Sequence, residues 1–196
     1  MLYFIPHIEF PLVRVRTLWR KTSHLILSSF FIVIFLVPSL GIASPTEYEL
    51  KAIFIERFAQ FTEWPPNKFE NNLSPFIISV IGDSPLKQAF ESLKVDSFQN
   101  RKLILKQIFV LDQNLQKSHI VFISASESYR LKEILSLLSG SKVLIIGEFE
   151  GFAESGGMIN LILNNNKIGF EVNNRRAKAG EIFISSKVLR LAKKVY

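Results

Sequence analysis

Beyond residue 43 the chain holds a single histidine, His119, and no cysteine stands anywhere in its 196 residues. A lone imidazole could act as a general base, or join carboxylates around a zinc ion. No nucleophile elbow accompanies it, and it sits immediately before the apolar run Ile120-Val121-Phe122-Ile123. It reads as a histidine at a strand entrance. Glu148 and Glu150 bracket Phe149, point the same way if the preceding strand continues, and are followed by Glu154. Such carboxylates could work as acid and base, or simply form a solvated rim. The loop Gly151-Phe152-Ala153-Glu154-Ser155-Gly156-Gly157 resembles a phosphate cradle only loosely. It lacks a Gly-Lys-Ser/Thr ending, carries an acid and leads into a strand, so it reads as a turn that needs glycine. Without cysteine there is no thiol nucleophile, thiolate metal site or disulfide framework. No catalytic, cofactor-binding or metal-binding residue is assigned.

Residues suited to recognising a partner are easier to find. Glu63-Trp64-Pro65 joins an aromatic anchor to a rigid turn, and Trp is favoured at interface hot spots. The same Trp equally fits packing at the end of a helix. Glu171, with Arg175 and Arg176, could form a charged partner site, or a local ion pair on a solvated face.

These residues need elements to hold them. Thr46-Glu47-Tyr48-Glu49 is a capping box, followed by Leu50, Ile53, Phe54, Phe58 and Phe61 at helical spacing. Pro65-Pro66 ends that helix. Strands are expected at Phe76–Gly82, Lys102–Leu111, Ile120–Ser124 and Lys142–Gly147, with helices after Ser84-Pro85 and Ser126-Glu127. Met158–Leu163 and Lys167–Val172 flank three asparagines and read as a β-hairpin. Asn173 opens a further helix. A last one is expected from Ser185-Ser186 to Val195, with Val188, Leu191, Ala192 and Val195 on one face. Alternating strands and helices predict a three-layer α/β/α domain, with a mostly parallel mixed sheet of five or six strands and a C-terminal hairpin followed by helices.

Arg14, Arg16, Arg20 and Lys21 precede the uncharged stretch Leu25–Leu40, and Gly41-Ile42-Ala43 offers small residues for cleavage. This is the pattern of a secretion signal over 1–43, cleaved after Ala43. Sixteen apolar residues are short for a membrane span, which usually needs about 20. The remainder, 44–196, is expected to be one exported domain. Its balance is 20 Lys plus Arg against 16 Asp plus Glu. That mild, dispersed excess does not suggest nucleic acid. Eighteen Phe in the chain promise a well-filled core in place of disulfides.

Several segments together resemble one family, the YfiR-like periplasmic proteins. They are Glu47-Tyr48-Glu49-Leu50-Lys51-Ala52 with Glu63-Trp64-Pro65, Phe122-Ile123-Ser124 followed by Ser126-Glu127, Gly156-Gly157-Met158-Ile159, Phe170-Glu171-Val172-Asn173, and Ile184 through Ala192. The resemblance implies an exported, non-enzymatic regulator. The best-known kind binds the periplasmic part of an inner-membrane diguanylate cyclase and holds it inactive, so that cyclic-di-GMP and biofilm formation fall. Members tend to self-associate, which makes a homodimer a candidate state, and some work with an outer-membrane lipoprotein. Many carry a cysteine where Ser118 stands here, and its absence rules out thiol redox sensing in this chain. A periplasmic small-molecule binding or sensing module is the alternative reading, and a hydrolase with a carboxylate site is a third. An apolar pocket with convergent polar groups would favour the second, and clustered, pKa-shifted carboxylates the third. An exposed apolar patch would favour the first.

Overall fold

The computed structural model describes residues 45–165 and 167–196. The expected secretion signal and its cleavage site lie outside the described residues. Helix α1 (Glu47–Gln60) begins at the expected capping box. Thr46 Oγ1 accepts from the Glu49 amide at 3.2 Å, and Glu49 Oε2 accepts from the Thr46 amide at 2.7 Å. The helix buries Ala52, Ile55, Phe58 and Ala59. That face is rotated from the expected stripe.

The six expected strands all form: β2 (Phe76–Ile81), β4 (Arg101–Ile108), β5 (Ile120–Ile123), β6 (Leu144–Gly147), β7 (Ile159–Asn164) and β8 (Lys167–Val172). β2 runs parallel to both β4 and β5, β6 parallel to β5, and β7 parallel to β6. β8 returns antiparallel to β7 with Leu161 opposite Phe170, and Asn165 at the turn takes φ +49°. Two short strands that were not foreseen join this sheet. β3 (Ser97–Phe98) lies antiparallel to β4, and β10 (Lys194–Val195) parallel to β8. The main sheet therefore has eight strands rather than five or six, in the order β10-β8-β7-β6-β5-β2-β4-β3. Two-residue strands carry no periodicity, so nothing in the sequence marks them. A separate ladder pairs β1 (Thr62–Glu63) with β9 (Phe183–Ile184).

The connections through α2 (Leu86–Ser92) and α3 (Leu131–Leu137) leave the centre of the sheet in opposite directions, from β2 to β4 and from β5 to β6. Right-handed crossovers then place α2 and α3 on opposite faces, which gives the three layers. α1 packs beside α2. β5 and the residues Leu144, Ile145 and Ile146 of β6 are buried on both faces, as expected of a covered parallel sheet.

The C-terminal segment departs from expectation. Helix α4 (Asn174–Ala179) forms after the Asn173 cap, but α5 spans only Ser186–Leu189. The Lys193 amide donates to Phe170 O at 2.8 Å, and the Tyr196 amide to Val172 O at 2.9 Å. The open carbonyl edge of β8 captures the chain as β10 before a longer helix can form. Val188 is buried, whereas Leu191 is 75% exposed.

Candidate functional site

Sheets of this type bind ligands in the crevice beyond the carboxyl ends of the strands, where the chain changes direction along the sheet. Here that point lies between β2 and β5, and it is filled. Ser124 Oγ donates to Asp83 O at 2.6 Å, and Ser126 Oγ accepts from the Asp83 amide at 3.0 Å. Ser124 also caps the 3-10 turn Ala125–Arg130. Gly82 takes φ +85°, and a Cβ there would collide with Ser126 and Glu127. The Ser-x-Ser-Glu segment thus closes the crevice.

Glu148 and Glu154 of the acidic cluster are committed to structure as well. β6 stops at Gly147, so Glu148 does not continue a strand beside Glu150. Glu148 turns inward, to 2.6 Å from Lys51 Nζ, with only 3% and 5% of the two side chains exposed. Lys51 also donates to Glu47, and the Tyr48 hydroxyl donates to Glu148 at 3.3 Å. Burial works against the Lys51 charge, but its bonds to Glu148 and Glu47 win and raise its pKa. Hydrogen bonds from Ser92 and Thr46 lower the pKa of Glu49, and those of Lys194 and Tyr196 lower that of Glu154. A general acid would need the opposite displacement. The glycine loop is a packing device too, because a Cβ on Gly157 would strike the buried ring of Phe152.

His119 is 3% exposed. Its ring stacks between Phe69 (4.3 Å between centroids) and Phe76 (4.8 Å). Nδ1 accepts the Ile77 amide at 3.0 Å, which places the ring proton on Nε2. Burial, then the charges of Lys68 and Arg101, push its pKa down to about 4. It is a neutral histidine at a strand entrance.

The partner residues named from sequence fall at two ends of the sheet. Trp64 is half-buried, packs edge-on against Phe76 at 5.3 Å, and donates from Nε1 to His119 O at 3.2 Å. This is the amino end of β5. Glu63, beside it, is exposed and lies opposite Phe183 in the short ladder. Glu171 lies opposite Asn160, which in turn is level with Gly147 at the carboxyl end of β6. Asn160 Nδ2 donates to Glu171 at 3.5 Å. Arg175 is exposed and Arg176 half-buried, and neither pairs with a carboxylate among the described residues.

Sequence reasoning missed an apolar groove of about 240 Å³ lined by Ile53, Phe54, Phe58, Phe61, Phe170, Val188 and Leu191. Arg57 and Lys187 rim it, the latter with Nζ 5.6 Å from the centre of the Phe61 ring. A second depression carries it past Phe54 and Leu191 toward Lys167 and Lys193. Ile53, Phe54 and Phe61 had looked like core because the helical spacing is apolar. The buried face of α1 is centred instead on Ala52, Ile55 and Ala59, which leaves the stripe edge open.

The YfiR/HmsC-like domain family (DUF4154) matches residues 48–193, nearly all of the described chain. The chain belongs to this family. The family is regulatory, its members are periplasmic, and they act in cyclic-di-GMP signalling through contacts with other proteins. No curated protein matches the sequence. The fold is similar to an ABC domain from Streptococcus pneumonia solved in complex with L-Trp, at 13% identity over 76% of this chain and 60% of that one (TM-score 0.53). It is also similar to a conserved domain protein from Vibrio cholerae O1 biovar eltor, at 12% identity over 77% and 60% (TM-score 0.54). At such identities the likeness is one of fold. The chain spans about 60% of the length of each structure.

In this YfiR-like domain the family segments have structural work to do. Ser124, Ser126 and Glu127 close the crevice, and Gly157 admits Phe152. Asn173 caps α4 through Oδ1 and donates from Nδ2 to Ala153 O at 2.8 Å. Among the described residues no helix is long and apolar enough to cross a membrane, and no cluster of His, Asp and Glu is arranged to hold a metal ion.

Proposed function

We propose that this YfiR-like chain is an exported regulator that binds the periplasmic part of an inner-membrane diguanylate cyclase and holds it inactive, lowering cyclic-di-GMP and biofilm formation. The observation that carries this reading is the groove on α1. Apolar side chains of a helix, a strand and the C-terminal turn converge on it, and its rim is basic. Phe54 and Phe61 are half-buried and Leu191 is exposed, and apolar surface left in water is retained where a partner covers it. The rim selects an apolar segment flanked by acids, because like charges across an interface are disfavoured. The closed crevice and the commitment of Glu148 to Lys51 give no support to a hydrolase.

Cellular cyclic-di-GMP, measured with and without the gene, tests the reading. The level is expected to rise on deletion and to return with the exported wild type. It should stay high when Leu191→Glu or a version lacking residues 1–43 is supplied. An unchanged level on deletion would remove the cyclase from the proposal.

A further inference from the structure

A second cleft, which shares no residue with the groove, opens at the amino ends of β2 and β5, the end opposite the closed crevice. It measures about 550 Å³, within the range of small-molecule sites. His119 contributes to its wall, and His119 Nε2 is buried without an acceptor among the described residues. With the Ile77 amide fixed on Nδ1, that nitrogen is a donor, and an unanswered buried donor is costly.

Lysines outnumber acids in the lining of the cleft. Lys68 Nζ donates to Gln116 O at 2.8 Å and Ser141 O at 2.9 Å, which leaves one N–H free of carbonyls and, among the described residues, no carboxylate upon it. Burial, then the charge of Lys142, pull the Lys68 pKa down to about 8. Lys142 bonds Asn67 at 3.2 Å and pairs with Glu181 at 3.1 Å. Lys117 and the exposed Glu70 complete the ionisable lining, with Arg101 behind the ring of Phe69. Phe69, Pro75 and Ile77 supply an apolar wall.

We propose that this cleft binds a small organic anion. Its acid group sits between the ammonium groups of Lys68 and Lys142, and its apolar body lies along the wall by Pro75. A carboxylate or a phosphate ester satisfies the same groups. The space exceeds that of a bare ion, and the apolar wall has no use for one. The site does not depend on the cyclase reading, so either can fail alone.

Calorimetric titration of the purified full-length protein at pH 7 tests it, with benzoate, phenyl phosphate and inorganic phosphate as probes. At least one organic anion is expected to bind at least tenfold more tightly than inorganic phosphate. Whichever of the two binds better assigns the acid as carboxylate or phosphate. That affinity should fall at least tenfold in Lys68→Met and in Lys142→Met. Lys68→Met leaves two carbonyls without a donor, so circular dichroism must show it folded. Lys142, which is partly exposed, carries the test if it is not. Raising the pH to 9.5 should also weaken binding, because Lys68 loses its proton while His119 is neutral throughout. Binding by none of the probes would overturn the proposal. So would inorganic phosphate binding as tightly as both organic anions, or affinity unchanged in Lys142→Met.

Discussion

The hydroxyl oxygens of Ser79 and Ser118 lie 2.7 Å apart in the core. They join the middle of β2 to the turn that feeds β5, and both residues are buried. Each hydroxyl answers the other where water cannot reach. Replacing Ser118 by Ala should therefore destabilise the domain by about 1–3 kcal/mol, the cost of stranding a buried hydroxyl. The double variant Ser79→Cys with Ser118→Cys should close a disulfide and add about 2–4 kcal/mol. Thiol titration and urea denaturation check both. Free thiols in the oxidised double variant would show the backbones too far apart.

The Lys51–Glu148 pair is buried on both sides, so removing one partner leaves the other charged in the core. Glu148→Gln is expected to cost about 3–5 kcal/mol. The pH dependence follows from the raised Lys51 pKa. The folded state holds that proton more tightly than the unfolded one. The pair's contribution is thus complete below the unfolded lysine value of about 10.4 and is lost as pH rises through the folded one. Tyr48, also raised, chiefly by burial, acts in the same direction. Denaturant midpoints at pH 9 and pH 11 should differ less in Lys51→Met than in the wild type.

His119 gives the opposite dependence. Its folded pKa near 4 lies below the unfolded value of about 6.5. The unfolded chain then binds more protons between those values. Stability is complete above pH 6.5 and declines toward pH 4, by about 3 kcal/mol at the lower limit. His119→Phe should flatten that part of the stability profile. An unchanged acid slope in the variant would assign the loss to carboxylates instead.

Trp64 and Leu191 separate packing from recognition. Trp64→Ala removes the edge contact with Phe76 and the donor to His119 O, and is expected to cost about 3 kcal/mol. Leu191→Glu changes an exposed side chain and should leave the melting temperature within a few degrees while abolishing partner binding. A Trp64→Ala protein that melts like the wild type and fails to bind would move the recognition surface to the Glu63-Trp64-Pro65 turn.

Much of the fold was legible because local chemistry and global architecture agree. The capping box at Thr46 and Glu49 starts α1, and the apolar runs at 76–81, 120–123 and 144–147 become strands covered on both faces. The C-terminal segment was not legible. The pattern from Val188 to Val195 is helical in period, and only the vacant edge of β8, a tertiary fact, turns it into a strand. The groove was hidden for a related reason. Spacing at Ile53, Phe54 and Phe61 marks an apolar stripe but cannot say how much of it a neighbouring element covers. The cleft at His119 was hidden differently, since the free donor on Nε2 exists only once Ile77 has taken Nδ1.

The turn that plugs the crevice between β2 and β5 has a consequence for how related sequences drift. Ser124, Ser126 and Glu127 each answer a neighbour, and Gly82 has no room for a side chain. These positions can change only together. In a comparison of descendants they would look as invariant as a catalytic motif, at the very place where other doubly wound proteins hold their ligands. Their constancy would record steric fit and not chemistry.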